Sequence, residues 1–139
     1  MAIATRETKL GCALPPISMQ MSREKFRRHE PKQQPGRTIH DDDEAAAREG
    51  LSAPIAGGPM VAATIYRMML AFLGEGWISG GKIYLKFIKP VFEHDFVTAK
   101  GIVKEKVLED SGVRLVCDVW AERQGGEKVI VGTASGLVP

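Results

Sequence analysis

Histidines, cysteines and clustered charge are the parts of this chain that could do chemistry, and their spacing narrows which kind. Cys12 and Cys117 stand far apart, with no Cys-x-x-Cys spacing and no histidine beside either. That pattern argues against a disulfide framework or a zinc site and for a reduced, cytoplasmic setting. Of the three histidines, His29 lies in a basic run beside Pro31 and His94 in the turn Glu93-His94-Asp95. Both read as exposed surface residues. His40 stands at a charge boundary: residues 1–39 carry +5 and residues 40–50 carry −4, inside a chain of net charge +2. The basic side, Arg23, Lys25, Arg27, Arg28, Lys32 and Arg37, has the chemistry to meet an anionic ligand such as a nucleotide phosphate. Its plainer reading is a solvated helix face. The acidic side opens with Asp41-Asp42-Asp43, which reads most simply as capping and dipole compensation for a short helix.

The whole chain bounds what can position these groups. Its 139 residues, 44% hydrophobic and 26% charged, are expected to form a single globular domain over 1–139. A domain of that size buries a core without metal or disulfide staples. Near-neutral charge and 6% aromatic content argue against nucleic acid as a partner. The start, MAIATRETKLGC, is charged and has no apolar run of signal-peptide length. The most apolar window, Pro59–Leu73, is 15 residues long and contains Arg67, short of the roughly 17–25 residues that a membrane span needs. A soluble, cytoplasmic protein with no membrane partner is the expectation.

Local signals then set the elements. Ser22 is a fair cap for a short helix that Pro31 stops; a Pro-Gly loop follows, then a second short helix in EAAAREG ending at Gly50. Ile55-Ala56-Gly57-Gly58-Pro59 turns into MVAATIYRMMLAFL, with proline at a first helical position. This helix is apolar nearly all round, so it should be buried, with Met60, Met68 and Met69 filling the core. Tyr66 and Arg67 are its only large polar side chains, and Arg67 should reach solvent or a partner subunit. Gly74 and Gly76 mark its end. Four strand-like runs follow with no further helix: Lys82–Val91, Phe96–Leu108, Val113–Arg123 and Glu127–Val138. In the first, Ile83, Leu85 and Phe87 alternate with Lys82, Tyr84 and Lys86; in the third, Val113, Leu115, Cys117, Val119 and Ala121 alternate with polar residues. Each strand therefore has one buried face and one wet face. Trp77 and Trp120 read as packing residues. The result is an α+β fold, a curved antiparallel meander around one long helix. One sheet covers one side of that helix, so a second copy is expected to cover the rest.

At this point the chain resembles the MaoC-like (R)-specific enoyl-CoA hydratase/dehydratase group of the hotdog fold. The matching residues are His40-Asp41-Asp42-Asp43-Glu44-Ala45, then Ile55-Ala56-Gly57-Gly58-Pro59-Met60 opening the long helix. Lys86-Phe87-Ile88-Lys89-Pro90-Val91 with Asp95 is similar to the group's Phe-x-x-Pro-Val…Gly-Asp strand and turn, with His94 in the place of the turn glycine. Leu10-Gly11-Cys12-Ala13-Leu14-Pro15-Pro16 is similar to its opening strand. Order and spacing agree over nearly the whole chain.

The resemblance implies a dimer or higher homo-oligomer acting on acyl thioesters of coenzyme A or acyl carrier protein, within fatty acid metabolism and with no cofactor or metal. Members add water to a trans-2-enoyl thioester or remove it from the (R)-3-hydroxy form. The group's Gly-Asp-x-Asn-Pro-x-His signature, laid on Gln34-Pro35-Gly36-Arg37-Thr38-Ile39-His40, keeps the histidine and puts Pro35 in the aspartate slot and Arg37 in the asparagine slot. His40 is then the acid–base group, with Asp41 or Asp42, or Glu30 across the loop, as the carboxylate beside it. Gly57 and Gly58 are implied to let the thioester approach the helix start, where the N–H of Gly58 or Met60 would hold its oxygen. Their plainer role is a tight turn into a Pro-started helix. Two alternatives stay open: a thioesterase on the same fold, and a non-catalytic acyl-CoA-binding or assembly subunit, to which Pro35 points.

Overall fold

Short-range hydrogen bonds start the first two helices where the residue types ask for them. Ser22 Oγ accepts the Lys25 N–H at 3.2 Å and opens α1 (Arg23–His29). Asp42, in extended backbone, accepts the Ala45 N–H at 2.9 Å and caps α2 (Asp43–Arg48). The long helix α3 (Gly58–Leu73) carries proline in its first turn and stops at Gly74, whose positive φ of 58° suits glycine. The computed structural model describes residues 3–29 and 38–139. Glu30, Pro31, Lys32, Pro35 and Arg37 therefore lie outside the described residues.

Five antiparallel strands form one sheet in the order β1-β3-β4-β5-β2. They are β1 (Ile17–Gln20), β2 (Lys82–Phe87), β3 (Phe96–Glu109), β4 (Gly112–Glu122) and β5 (Lys128–Val138). The expected curved sheet around one long helix is present, with three corrections to its parts. First, only β3, β4 and β5 form a meander; β2 skips to the far edge and pairs with β5. Second, Leu10–Pro16 is not the opening strand. It contributes one isolated bridge, Ala13 to Ile102, and the strand follows at Ile17–Gln20, past Pro15-Pro16. Prolines cannot donate to a ladder, which delays pairing by those residues. Third, a helix does follow α3: α4 (Glu75–Gly80).

Helix α4 has no helical apolar stripe to announce it, and its Ile78 is exposed. Backbone contact holds it instead. A Cβ on Gly76 would stand 1.7 Å from Leu137 O, so only glycine lets this turn lie against β5.

The core lies between the sheet and α3. Ile65, Met68 and Met69 of α3 are fully buried, facing Val97, Ala99 and Val103 of β3 and Leu115, Cys117, Val119 and Ala121 of β4. The methionines thus fill core. The helix is not buried all round, however: Pro59, Tyr66, Arg67, Leu70 and Ala71 are exposed along one stripe. The far face of the sheet carries charge pairs, Lys100–Glu122 at 2.5 Å and Lys104–Asp118 at 3.2 Å, and Lys128 stands 4.8 Å from the Trp120 ring. Arg114 departs from its expected wet position. It is buried under α4, donating to Glu109, Gly80 O and Ser135 Oγ at 2.8–3.0 Å. Among the described residues, no helix is long and apolar enough to cross a membrane.

Burial pushes the Cys117 thiol up to about 12, so at pH 8 it stays protonated and shielded. A thiol-reactive chromophore at pH 8 is expected to leave Cys117 untouched in the folded protein and to label both cysteines in guanidinium. Truncating a fully buried side chain, Ile65→Ala, is expected to cost about 2–5 kcal/mol in chemical denaturation.

Candidate functional site

A loop, a short bridge and a helix start meet at one cavity. The loop is Thr38–Asp42. Thr38 Oγ1 accepts the His40 N–H at 3.1 Å, and Asp41 Oδ1 accepts from the Thr38 N–H at 3.1 Å and its hydroxyl at 3.2 Å. The Asp41 and Asp42 N–H groups both return to Thr38 O. This knot fixes the backbone of His40. The segment Ile55-Ala56 then ties the loop to the sheet: Ile55 N–H donates to Ile39 O at 3.0 Å and Ala56 N–H to Val91 O at 2.8 Å. From there the chain runs directly into α3.

The imidazole of His40 is held to the same segment, with Nδ1 2.8 Å from Ile55 O. A carbonyl only accepts, so Nδ1 is the protonated nitrogen. In the neutral ring the basic lone pair then belongs to Nε2.

His40 lines a cavity of about 420 Å³. Its walls are mostly apolar (Ile55, Val61, Phe87, Ile88, Val91 and Ile130), and Lys89 and Gly58 also border it. Lys89 is paired with Glu127 at 2.9 Å. Gly58 sits in the first turn of α3, and its N–H has no acceptor among the described residues. Gly58 is also close to the wall: a Cβ there would lie 3.3 Å from the Phe87 ring. One imidazole and one helix start thus share an apolar cleft.

The other residues singled out by sequence have different placements. Met60 is buried, and its N–H donates to Gly57 O at 3.1 Å, so of the two candidate donors the cavity is bordered by Gly58. Gly57 is the buried N-cap, in extended backbone. Asp42 spends Oδ2 on the α2 cap, and Asp41 is buried in the Thr38 knot; neither lines the cavity. Asp43 turns to Arg23, whose guanidinium forks onto it at 2.7 and 3.1 Å and onto Glu93 at 2.8 and 3.1 Å. That fork ties α1 and α2 to the turn before β3. It also takes Arg23 out of any anion-binding role, while Lys25 donates to Gln20 O and Arg28 pairs with Glu24. His29 and His94 are exposed.

Sequence reasoning did not find the Ile55 carbonyl, because a backbone acceptor has no residue-type signature. It also missed Thr38 and the walls at Ile88 and Ile130. Among the described residues, no three His, Cys, Asp or Glu side chains gather as metal ligands.

Comparison with solved structures places this architecture. A MaoC-like dehydratase from Rhodospirillum rubrum matches with a TM-score of 0.76 and 20% identity, over 95% of this chain and 93% of that one. An (R)-hydratase from A. caviae involved in PHA biosynthesis matches with a TM-score of 0.71 and 24% identity, over 96% and 98%. The ChsH1-ChsH2 complex from Mycobacterium tuberculosis matches with a TM-score of 0.74 and 16% identity, over 95% and 99%. No protein-family model and no curated protein matches the chain by sequence. These likenesses establish the hotdog fold, in the arrangement of MaoC-like dehydratases and (R)-hydratases.

Arg23 holds the Asp43 carboxyl below the usual aspartate range, chiefly through their hydrogen bonds. A carboxyl lowered on folding stabilises the fold above its unfolded value, near 3.8, and loses that contribution as pH falls through the folded value. Asp43→Asn should therefore unfold at lower urea than the parent at pH 6, and the gap should narrow as the pH is taken below 3.8. The measurement is a pair of urea titrations.

Proposed function

We propose that this hotdog chain hydrates trans-2-enoyl thioesters of coenzyme A or acyl carrier protein, or dehydrates the 3-hydroxy form. The carrying observation is that His40 and the start of α3 border the same apolar cavity. Such walls suit an acyl chain, and a thioester carbonyl needs a fixed donor where negative charge develops.

The reaction proceeds with one imidazole acting twice. Nε2 of His40 takes a proton from water as the water oxygen bonds to the β-carbon of the enoyl group. The alkene electron pair moves through the α-carbon onto the thioester oxygen, which the Gly58 N–H stabilises. The imidazolium then returns the proton to the α-carbon. Ile55 O keeps the ring in the tautomer that this sequence requires and steadies its positive charge. The neighbouring solved structures titled dehydratase and (R)-hydratase support this class of reaction.

One observation favours a second reading, binding without turnover. The described walls of the cavity are mostly apolar, as a cleft that holds an acyl chain requires whether or not a bond is made there. The same assay separates the two.

Hydration of crotonyl-CoA and longer enoyl-CoA thioesters, followed by loss of enoyl absorbance, is expected for the parent chain. His40→Ala should lower kcat by about 10²–10⁴-fold, the usual contribution of a positioned acid–base group, with the thermal midpoint little changed. Equal rates in parent and variant would remove His40 from the chemistry. Calorimetric acyl-CoA binding without turnover would favour the binding subunit.

A further inference from the structure

The basic residues of α1 do not line the cavity at His40. Lys25, Arg28 and His29 recur at i, i+3 and i+4, so one face of α1 carries them together. That face borders a hollow of about 350 Å³ whose other walls are Met19, Met60 and Ala63. Sites for small ligands run from about 300 to 1,000 Å³, apolar in the main with a few polar groups that fix orientation. This hollow has that size and that make-up.

It is separate from the His40 cavity. Gly58 and Val61 of α3 border that cavity, whereas Met60 and Ala63 border this hollow. At about 3.6 residues per turn, positions two apart on a helix point about 200° from each other. The two spaces therefore lie on opposite flanks of α3.

The rim keeps charge to offer. Lys25 Nζ donates to Gln20 O at 2.6 Å, and a carbonyl accepts that bond without neutralising the ammonium. Arg28 pairs with Glu24, but their side chains are 73% and 72% exposed, and so exposed a pair holds weakly against a competing anion. Lys25 and Arg28 against Glu24 leave one positive charge, to which His29 adds only when protonated. One carboxylate matches that charge, where a nucleotide phosphate brings more. The methionines of the floor, Met19 and Met60, adapt readily to the shape of a hydrocarbon.

We infer that this hollow binds a fatty carboxylate, its tail on Met19, Met60 and Ala63 and its head between Lys25 and Arg28. Such binding is independent of turnover at His40, so its test reads occupancy rather than activity.

The full chain, isotope-labelled at its methionine methyl groups, is titrated with decanoate below its micelle concentration and followed by nuclear magnetic resonance. The Met19 and Met60 signals should move together and saturate, while those of Met68 and Met69, fully buried in the core, stay in place. Neither signal moving, or Met60 moving without Met19, overturns the inference. Two further probes separate tail from charge. Decyltrimethylammonium has the tail with the opposite charge, and adenosine diphosphate has negative charge without a tail. Each should bind more weakly than decanoate; either binding as tightly overturns the inference. Arg28→Met, on the exposed rim, should weaken decanoate by about tenfold, the usual effect of losing one hydrogen bond to a charged group. Ala63→Phe, which fills the hollow, should abolish the shifts. Circular dichroism checks that both variants fold; unchanged affinity in folded Arg28→Met overturns the inference even where Ala63→Phe fails to fold.

Discussion

An apolar helix of sixteen residues cannot be left in water, and the rest of this molecule is arranged around covering α3. The sheet presents an unbroken inner row on β4, Val113 to Ala121 by alternate residues, with the row on β3 beside it. Burying a side chain of this kind contributes about 1.5–3 kcal/mol, and no other element offers a comparable surface. Coverage is incomplete in a single chain. Tyr66 and Leu70 stay exposed on the helix, and Phe87 and Ile88 at the edge of the sheet. The same hydrophobic demand that shapes the fold therefore goes partly unmet within a single chain.

The candidate site sits where that helix begins, because a buried helix start cannot be closed on all sides. Its first N–H groups lack intrahelical partners, and here one of them borders an apolar cleft. His40 reaches the same cleft through backbone bonds: Ile39 to Ile55, Ala56 to Val91, and its own ring to Ile55 O. The imidazole is thereby referenced to the short segment that leads into α3. Two groups that must share one reacting molecule are mounted on one short segment.

The legible part of the fold was what residue type and period encode. Ser22 and Asp42 cap helices, Pro59 opens α3, and alternation in Ile83–Leu85 and Val113–Ala121 separates inside from outside. Three features escaped for physical reasons. Helix α4 is held by backbone contact at Gly76, which leaves no apolar stripe. The sheet order depends on a long-range pairing of β2 with β5 that no local pattern can encode. Phe87 follows the alternation yet is half exposed, because it ends an edge strand. At the candidate site the side-chain types were visible, whereas the acceptor for His40 is a main-chain oxygen. The tripeptide Asp41-Asp42-Asp43 shows the limit most clearly: three identical residues make a loop knot, a helix cap and an ion pair.

The position of β2 also sets an order of events in folding. β3, β4 and β5 are joined by short turns, so their hairpins can form within microseconds. β2 precedes them in the chain but has no neighbour until β5 exists, since Lys82 meets Ser135 and Phe87 meets Ile130. Closing that distance costs loop entropy that only the finished hairpins repay. Until then the nascent chain carries KIYLKF, a short β-forming segment without proline or acidic residues, unpaired on both sides. Lys82 and Lys86 flank its Ile-Tyr-Leu stretch, the kind of charge that keeps an unpaired strand soluble while it waits.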